Sequence, residues 1–96
     1  MPRRMLRHWL LVNDKPTRIE TGGPVVRAAA GRLGIGPNAQ HIVEFWAEGS
    51  LETDGTVRTF QVLGTGHALP DGAQWRGTTA RTPEGLVWHL YELPTA

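Results

Sequence analysis

His67 and Asp71 stand four residues apart on one glycine-rich stretch, Gly64-Thr65-Gly66-His67-Ala68-Leu69-Pro70-Asp71-Gly72. An imidazole titrates near neutral pH, and a carboxylate beside it can orient its proton, so this pair is the first place to look for acid–base chemistry. His89 is a further imidazole that could join His67 in a weak hydrolase. The plainer role needs no catalysis: Asp71 caps the Pro70-Asp71-Gly72 turn, and His67 bonds the backbone to hold the loop's shape. Contact with a ligand or partner lies between the two. The plain role outweighs catalysis, and binding without catalysis is the expected activity.

Other chemistries are poorly supplied. Ser50 is the single serine, set among acidic residues with no base nearby, so a nucleophile–base triad has little to build on. A Walker loop needs lysine and then Ser or Thr ahead of a helix, whereas Gly64-Thr65-Gly66 is followed by His67 and soon by Pro70. Its amides can still form a nest for a nucleotide or another small anion. Gly31-Arg32-Leu33-Gly34-Ile35-Gly36 has the wrong glycine spacing for a dinucleotide fingerprint. The four histidines, His8, His41, His67 and His89, lack the paired local spacing of zinc ligands, and there is no cysteine. No metal and no cofactor is expected. Trp75 directly follows the glycine stretch, and an exposed tryptophan beside a shaped loop is how protein-binding hot spots often look. The expected binding surface is therefore Thr65, His67, Asp71 and Trp75, on an ordered, solvent-facing loop.

Period-two runs must position these residues. Phe60 and Val62 share one face of Thr59–Leu63, with Thr59 and Gln61 on the other. In Leu86–Glu92, Leu86, Trp88 and Leu90 alternate with Val87, His89 and Tyr91, so both faces carry bulk and the strand is expected to be central. Thr82-Pro83-Glu84-Gly85 has proline and glycine where a tight turn needs them, and predicts an antiparallel hairpin between 75–82 and 86–92. Upstream, Met5–Val12 sets Trp9 and Leu11 opposite Leu10 and Val12. Asn13-Asp14-Lys15-Pro16 and Thr17–Glu20 then complete an expected N-terminal hairpin. Val25–Leu33 is read as a strand packing Val26, Ala28 and Ala30, with a short helix as the alternative. His41–Glu48 is a clear strand in which Glu44 needs water or a partner.

The expected fold is thus all-β or β-rich: a small antiparallel meander of about six strands, folded into a barrel or sandwich, with at most one short helix. With 96 residues and 40% hydrophobic content, one domain over 1–96 is expected. Such a chain buries only about two-thirds of its unfolded surface. Its stability is expected to be modest or helped by self-association, and most of the four tryptophans are expected in the core, because a small β-domain needs large side chains to fill it. No apolar run approaches the about 18 residues of a membrane span. Met1–Val12 lacks a small-residue cleavage site for secretion. Charge is uneven, with seven cationic side chains against two carboxylates in residues 1–32 and three against seven in 33–96. Pairing between the two halves, or between copies of the chain, accounts for this better than nucleic acid, because few aromatics interleave the basic residues.

One combination of motifs carries a resemblance. Arg58-Thr59-Phe60, Gly64-Thr65-Gly66-His67, Leu69-Pro70-Asp71, Gly77-Thr78 and Gly85-Leu86-Val87-Trp88-His89-Leu90 resemble a family of small uncharacterised proteins of bacteriophages and prophages, especially those of actinobacteria. Val43-Glu44-Phe45-Trp46-Ala47 and the start from His8 to Ile19 are similar to that family too, so the likeness runs from about Arg7 to Leu93. It implies an origin and no activity, cofactor or catalytic residue. The expected role is a host-directed or anti-defence accessory factor that binds a host protein or itself, in the host cytoplasm or the virion. A minor virion component is the alternative. No membrane partner is expected.

Overall fold

Alternation of large and polar side chains yields seven strands among the described residues: β1 (Arg4–Leu11), β2 (Thr17–Thr21), β3 (Val25–Leu33), β4 (Gln40–Gly49), β5 (Thr56–Gly64), β6 (Gln74–Thr78) and β7 (Trp88–Leu93). The computed structural model describes residues 4–13, 15–23, 25–33, 39–49 and 56–94. The loop expected from Gly34, the serine Ser50 and the Asp54-Gly55 turn lie outside them. No helix occurs among the described residues, so the Val25–Leu33 ambiguity resolves as strand. The fold is all-β, and none of its elements is a helix able to cross a membrane.

The strands form two antiparallel sheets, ordered β1-β4-β3 and β2-β5-β7-β6. Consecutive strands change sheet more often than they pair, which corrects the expected meander. The expected N-terminal hairpin is not there: β1 pairs with β4, Leu10 opposite Val43, while β2 pairs with β5, Thr17 opposite Phe60. The chain bends at Asn13, whose Oδ1 accepts the Lys15 N–H at 3.1 Å, and Leu10 and Ile19 then pack against one core from different sheets.

The core lies between the sheets. Leu10, Val43 and Phe45 from one sheet meet Phe60, Val62 and Leu90 from the other, with Val12, Ile19, Val25, Ala28 and Trp88 packed against them. Phe45 and Phe60 touch across the interface with ring centroids 4.9 Å apart and planes tilted 47°. Such a pair adds about 0.5–1.5 kcal/mol beyond its burial. The inner face of β1 also carries His8, whose ring stacks 5.2 Å from that of Phe45. Burial lowers the His8 pKa below its ordinary value, because the charged imidazolium loses water there.

Two expectations about large side chains change. A register shift between Val25 and Arg27 inserts an extra residue into β3, so Val25 faces the core and Val26 is 57% exposed. Ala28 does pack inward, as expected. The tryptophans are not the core's main filling: Trp9 and Trp75 are exposed, Trp46 and Trp88 are half-buried, and the phenylalanines take the centre. Glu44 finds its partner in Arg7, 3.0 Å away, and Glu84 pairs with Arg32. Both pairs join the basic first third to the acidic remainder, so part of the charge asymmetry is answered within one molecule.

Candidate functional site

The last hairpin behaves as its sequence requires. β6 pairs with β7, and β7 lies between β5 and β6, hence central. At the tip, the Gly85 N–H donates to the Thr82 carbonyl at 2.8 Å, and Gly85 takes φ 86°. A side chain would strain that conformation. Thr82 then pairs its own N–H with the Leu86 carbonyl and accepts the Leu86 N–H on Oγ1. Deeper in, buried Thr79 donates its N–H to the Trp88 carbonyl at 2.9 Å and accepts the Trp88 N–H on Oγ1 at 3.1 Å. These bonds extend the ladder beyond the regular strands and fix the hairpin arm as a wall.

A turn at the end of β5 forms the facing wall. The His67 N–H donates to the Gly64 carbonyl at 3.2 Å, with Gly66 at φ 90°. Positive φ at the third residue of such a turn is what glycine supplies most cheaply. Gly64 leaves room for the His67 ring, since a Cβ there would stand 3.3 Å from His67 Cε1. The bond that closes this turn is made by the main chain of His67, while its ring stays exposed.

Between the two walls lies a groove of about 590 Å³. Val12, Leu86, Val87 and Trp88 supply its apolar surface, and Thr65, His67 and Arg81 its polar surface. The indole nitrogen of Trp88 is buried without a hydrogen-bond acceptor among the described residues.

A hydrogen-bond chain braces the groove from the outer face of the four-stranded sheet. Trp75 Nε1 donates to Thr78 Oγ1 at 2.8 Å; Thr78 Oγ1 lies 3.0 Å from His89 Nδ1, and His89 Nε2 lies 2.9 Å from Thr65 Oγ1. The indole N–H can only donate, so the Thr78 hydroxyl accepts it, and a hydroxyl has capacity left to pair with Nδ1 in either tautomer of His89. In each tautomer one ring nitrogen donates and the other accepts, so both threonine hydroxyls stay engaged. The chain ties β6, β7 and the β5 turn together through one imidazole.

Of the four residues expected to form the binding surface, Thr65 and His67 line the groove and Trp75 reaches it through this chain. Asp71 does not join them. β5 and β6 both run antiparallel to β7 and so run parallel to each other, which obliges their connection to travel the length of the sheet. Gly64 pairs with Trp88 at one end of β7, while Gly72 sits against Pro94 beyond the other. Six residues of strand separate those points, about 20 Å at about 3.3 Å per residue. The stretch 64–72 is therefore two turns at opposite ends, and Asp71 lies exposed in the Pro70–Ala73 turn, closed by the Ala73 N–H on the Pro70 carbonyl at 3.1 Å. His67 and Asp71 share no hydrogen bond or ion pair, and both nitrogens of His89 are taken by threonine hydroxyls. Among the described residues, no group of three or more His, Cys, Asp or Glu could hold a metal ion.

Sequence reasoning missed Arg81, Leu86, Val87 and Val12 as groove residues. Only the threonines around the 82–85 turn hinted that this hairpin would be rigid enough to be a wall. The chain belongs to the DUF7352 family, a domain of unknown function whose family model matches residues 1–96. No curated protein and no solved structure matches it.

Proposed function

We propose that this DUF7352 chain is a non-enzymatic binding module of the phage accessory kind, which engages a host protein through the groove between the Gly64–His67 turn and the Thr82–Trp88 arm. The observation that carries this is the composition of the groove: an apolar surface from Leu86, Val87 and Trp88, edged by Thr65, His67 and Arg81. An apolar centre within a polar rim is the usual anatomy of a protein-recognition surface. Both walls are fixed by backbone and hydroxyl hydrogen bonds, so little order has to be gained on binding. Trp75, 60% exposed and tied to the groove through Thr78, His89 and Thr65, is a further apolar side chain open to a partner.

The test is site-specific photo-cross-linking with a benzophenone amino acid in place of Leu86, and, as a control, in place of Met5, which is exposed on β1. Expected is a discrete adduct with one host protein from position 86 and none from position 5. Equal labelling from both positions, or none from either, overturns the groove as the binding surface. Self-association is the second proposal, favoured by β1 and β2, each an end strand of its sheet with no further strand beside it among the described residues. An adduct of the chain with itself, matched by a dimer in light scattering, would select it.

A further inference from the structure

A second recess lies on the other side of the same hairpin, and its chemistry differs. β3 and β6 are end strands of the two sheets, and they approach each other because Gly77 has no side chain: a Cβ there would stand 3.0 Å from that of Ala28. Past Gly77 the chain 80–84 diverges from β3 and leaves a pocket of about 250 Å³. Its β3 side is small, Ala28 to Gly31, while Arg27, Arg32 and Arg81 reach it together with His41. Glu84 is the one carboxylate among the lining residues and is engaged by Arg32. Arg27 has no ion pair or side-chain hydrogen bond among the described residues. Arg81 has one long contact, 3.5 Å to the Gly85 carbonyl.

We propose that this pocket is a binding site for a compact oxyanion, a phosphate or carboxylate group on a small body, held by Arg27 and Arg81 over the alanines of β3. Guanidinium groups present planar, paired donors that match two oxygens of such a group. The alanine wall is apolar and leaves the space unfilled, so a charge seated against it is screened less than in open water. The glycine turn serves an anion less well: its His67 amide is spent on the Gly64 carbonyl.

The experiment titrates the intact protein with inorganic phosphate and with malonate at constant ionic strength, read by calorimetry and by amide chemical shifts. Saturable binding of either probe is expected, with shifts centred on 27–32 and 80–84; phosphate alone would mark a phosphoryl ligand, both a general oxyanion. Arg27→Gln and Arg81→Gln should each weaken it about tenfold, the effect of one charged hydrogen bond. Glu84→Gln should tighten it by removing the competing carboxylate, whereas Glu20→Gln, on the exposed β2, should not. No saturation by either probe overturns the site. So does affinity that survives in the Arg27→Gln/Arg81→Gln double variant, or tightening by Glu20→Gln equal to that of Glu84→Gln. An unchanged amide spectrum away from the pocket establishes that each variant is folded.

Discussion

The interior between the two sheets and the hairpin end of the molecule are built on opposite terms. In the interior, Val43, Phe45, Phe60 and Leu90 are wholly withdrawn from water, and the stabilisation comes from apolar area and close packing. At the hairpin end, Thr65, His67, Trp75 and Arg81 remain exposed, and shape is kept by named hydrogen bonds and by glycines at positive φ. The contrast teaches where each kind of change will register: in the interior as lost stability, at the end as lost recognition.

The hardest blow to that contrast is a hole at its centre. Phe60→Ala should cost about 3–5 kcal/mol and leave the domain unfolded or nearly so, measured by chemical denaturation. If it costs less than about 1 kcal/mol, the sheet interface is not where stability resides. Gly22→Ala should come next, because a Cβ there would lie 2.5 Å from the Gly49 Cα, where only backbone movement can relieve it. Overpacking of this kind costs about 1–3 kcal/mol, seen as a fall in the denaturation midpoint.

His89→Ala sits on the boundary. It removes both links between Thr78 and Thr65, so a loss of about 1–2 kcal/mol is expected together with a weaker cross-link from position 86. His67→Ala should move stability by less than about 1 kcal/mol while lowering that cross-link. Should His67→Ala unfold the protein as Phe60→Ala does, the turn is a clasp and the contrast fails. The smallest effect concerns acid. The folded pKa of His8 lies below that of the unfolded chain, so the unfolded state binds the proton first. Stability is full above about pH 6.5, the ordinary histidine value, and declines as pH falls from there toward the folded pKa. His8→Phe should flatten the melting temperature over that window.

The interior was far more legible than the end. Phe60 with Val62, and Val43 with Phe45, sit at period two, and period two is a direct consequence of strand geometry. The 82–85 hairpin was equally plain, because proline and glycine at fixed spacing admit few backbone paths. Pairing between sheets was not legible. The Asn13 turn says that the chain bends, and nothing local says that β1 will prefer β4 to β2. The extra residue at Val26 has no sequence mark either, since a bulge is decided by what the neighbouring strand needs. Asp71 misled for the same reason: four residues of separation look close until the parallel course of β5 and β6 stretches them along the sheet. Arg81, Leu86 and Val87 form a wall only because Thr79 and Thr82 lock the arm beside them, a tertiary fact.

The pairing of β1 with β4 and of β2 with β5 also sets an order in time. Arg4 waits for Gly49 and Thr17 for Phe60, so during synthesis the first two strands have no partner until some forty further residues have been added. At about 5–20 residues per second that is an interval of seconds. For that interval Trp9, Leu10 and Ile19 are an unclaimed apolar segment, and Arg3, Arg4, Arg7 and Arg18 flank it with like charge, the placement that disfavours aggregation of such segments.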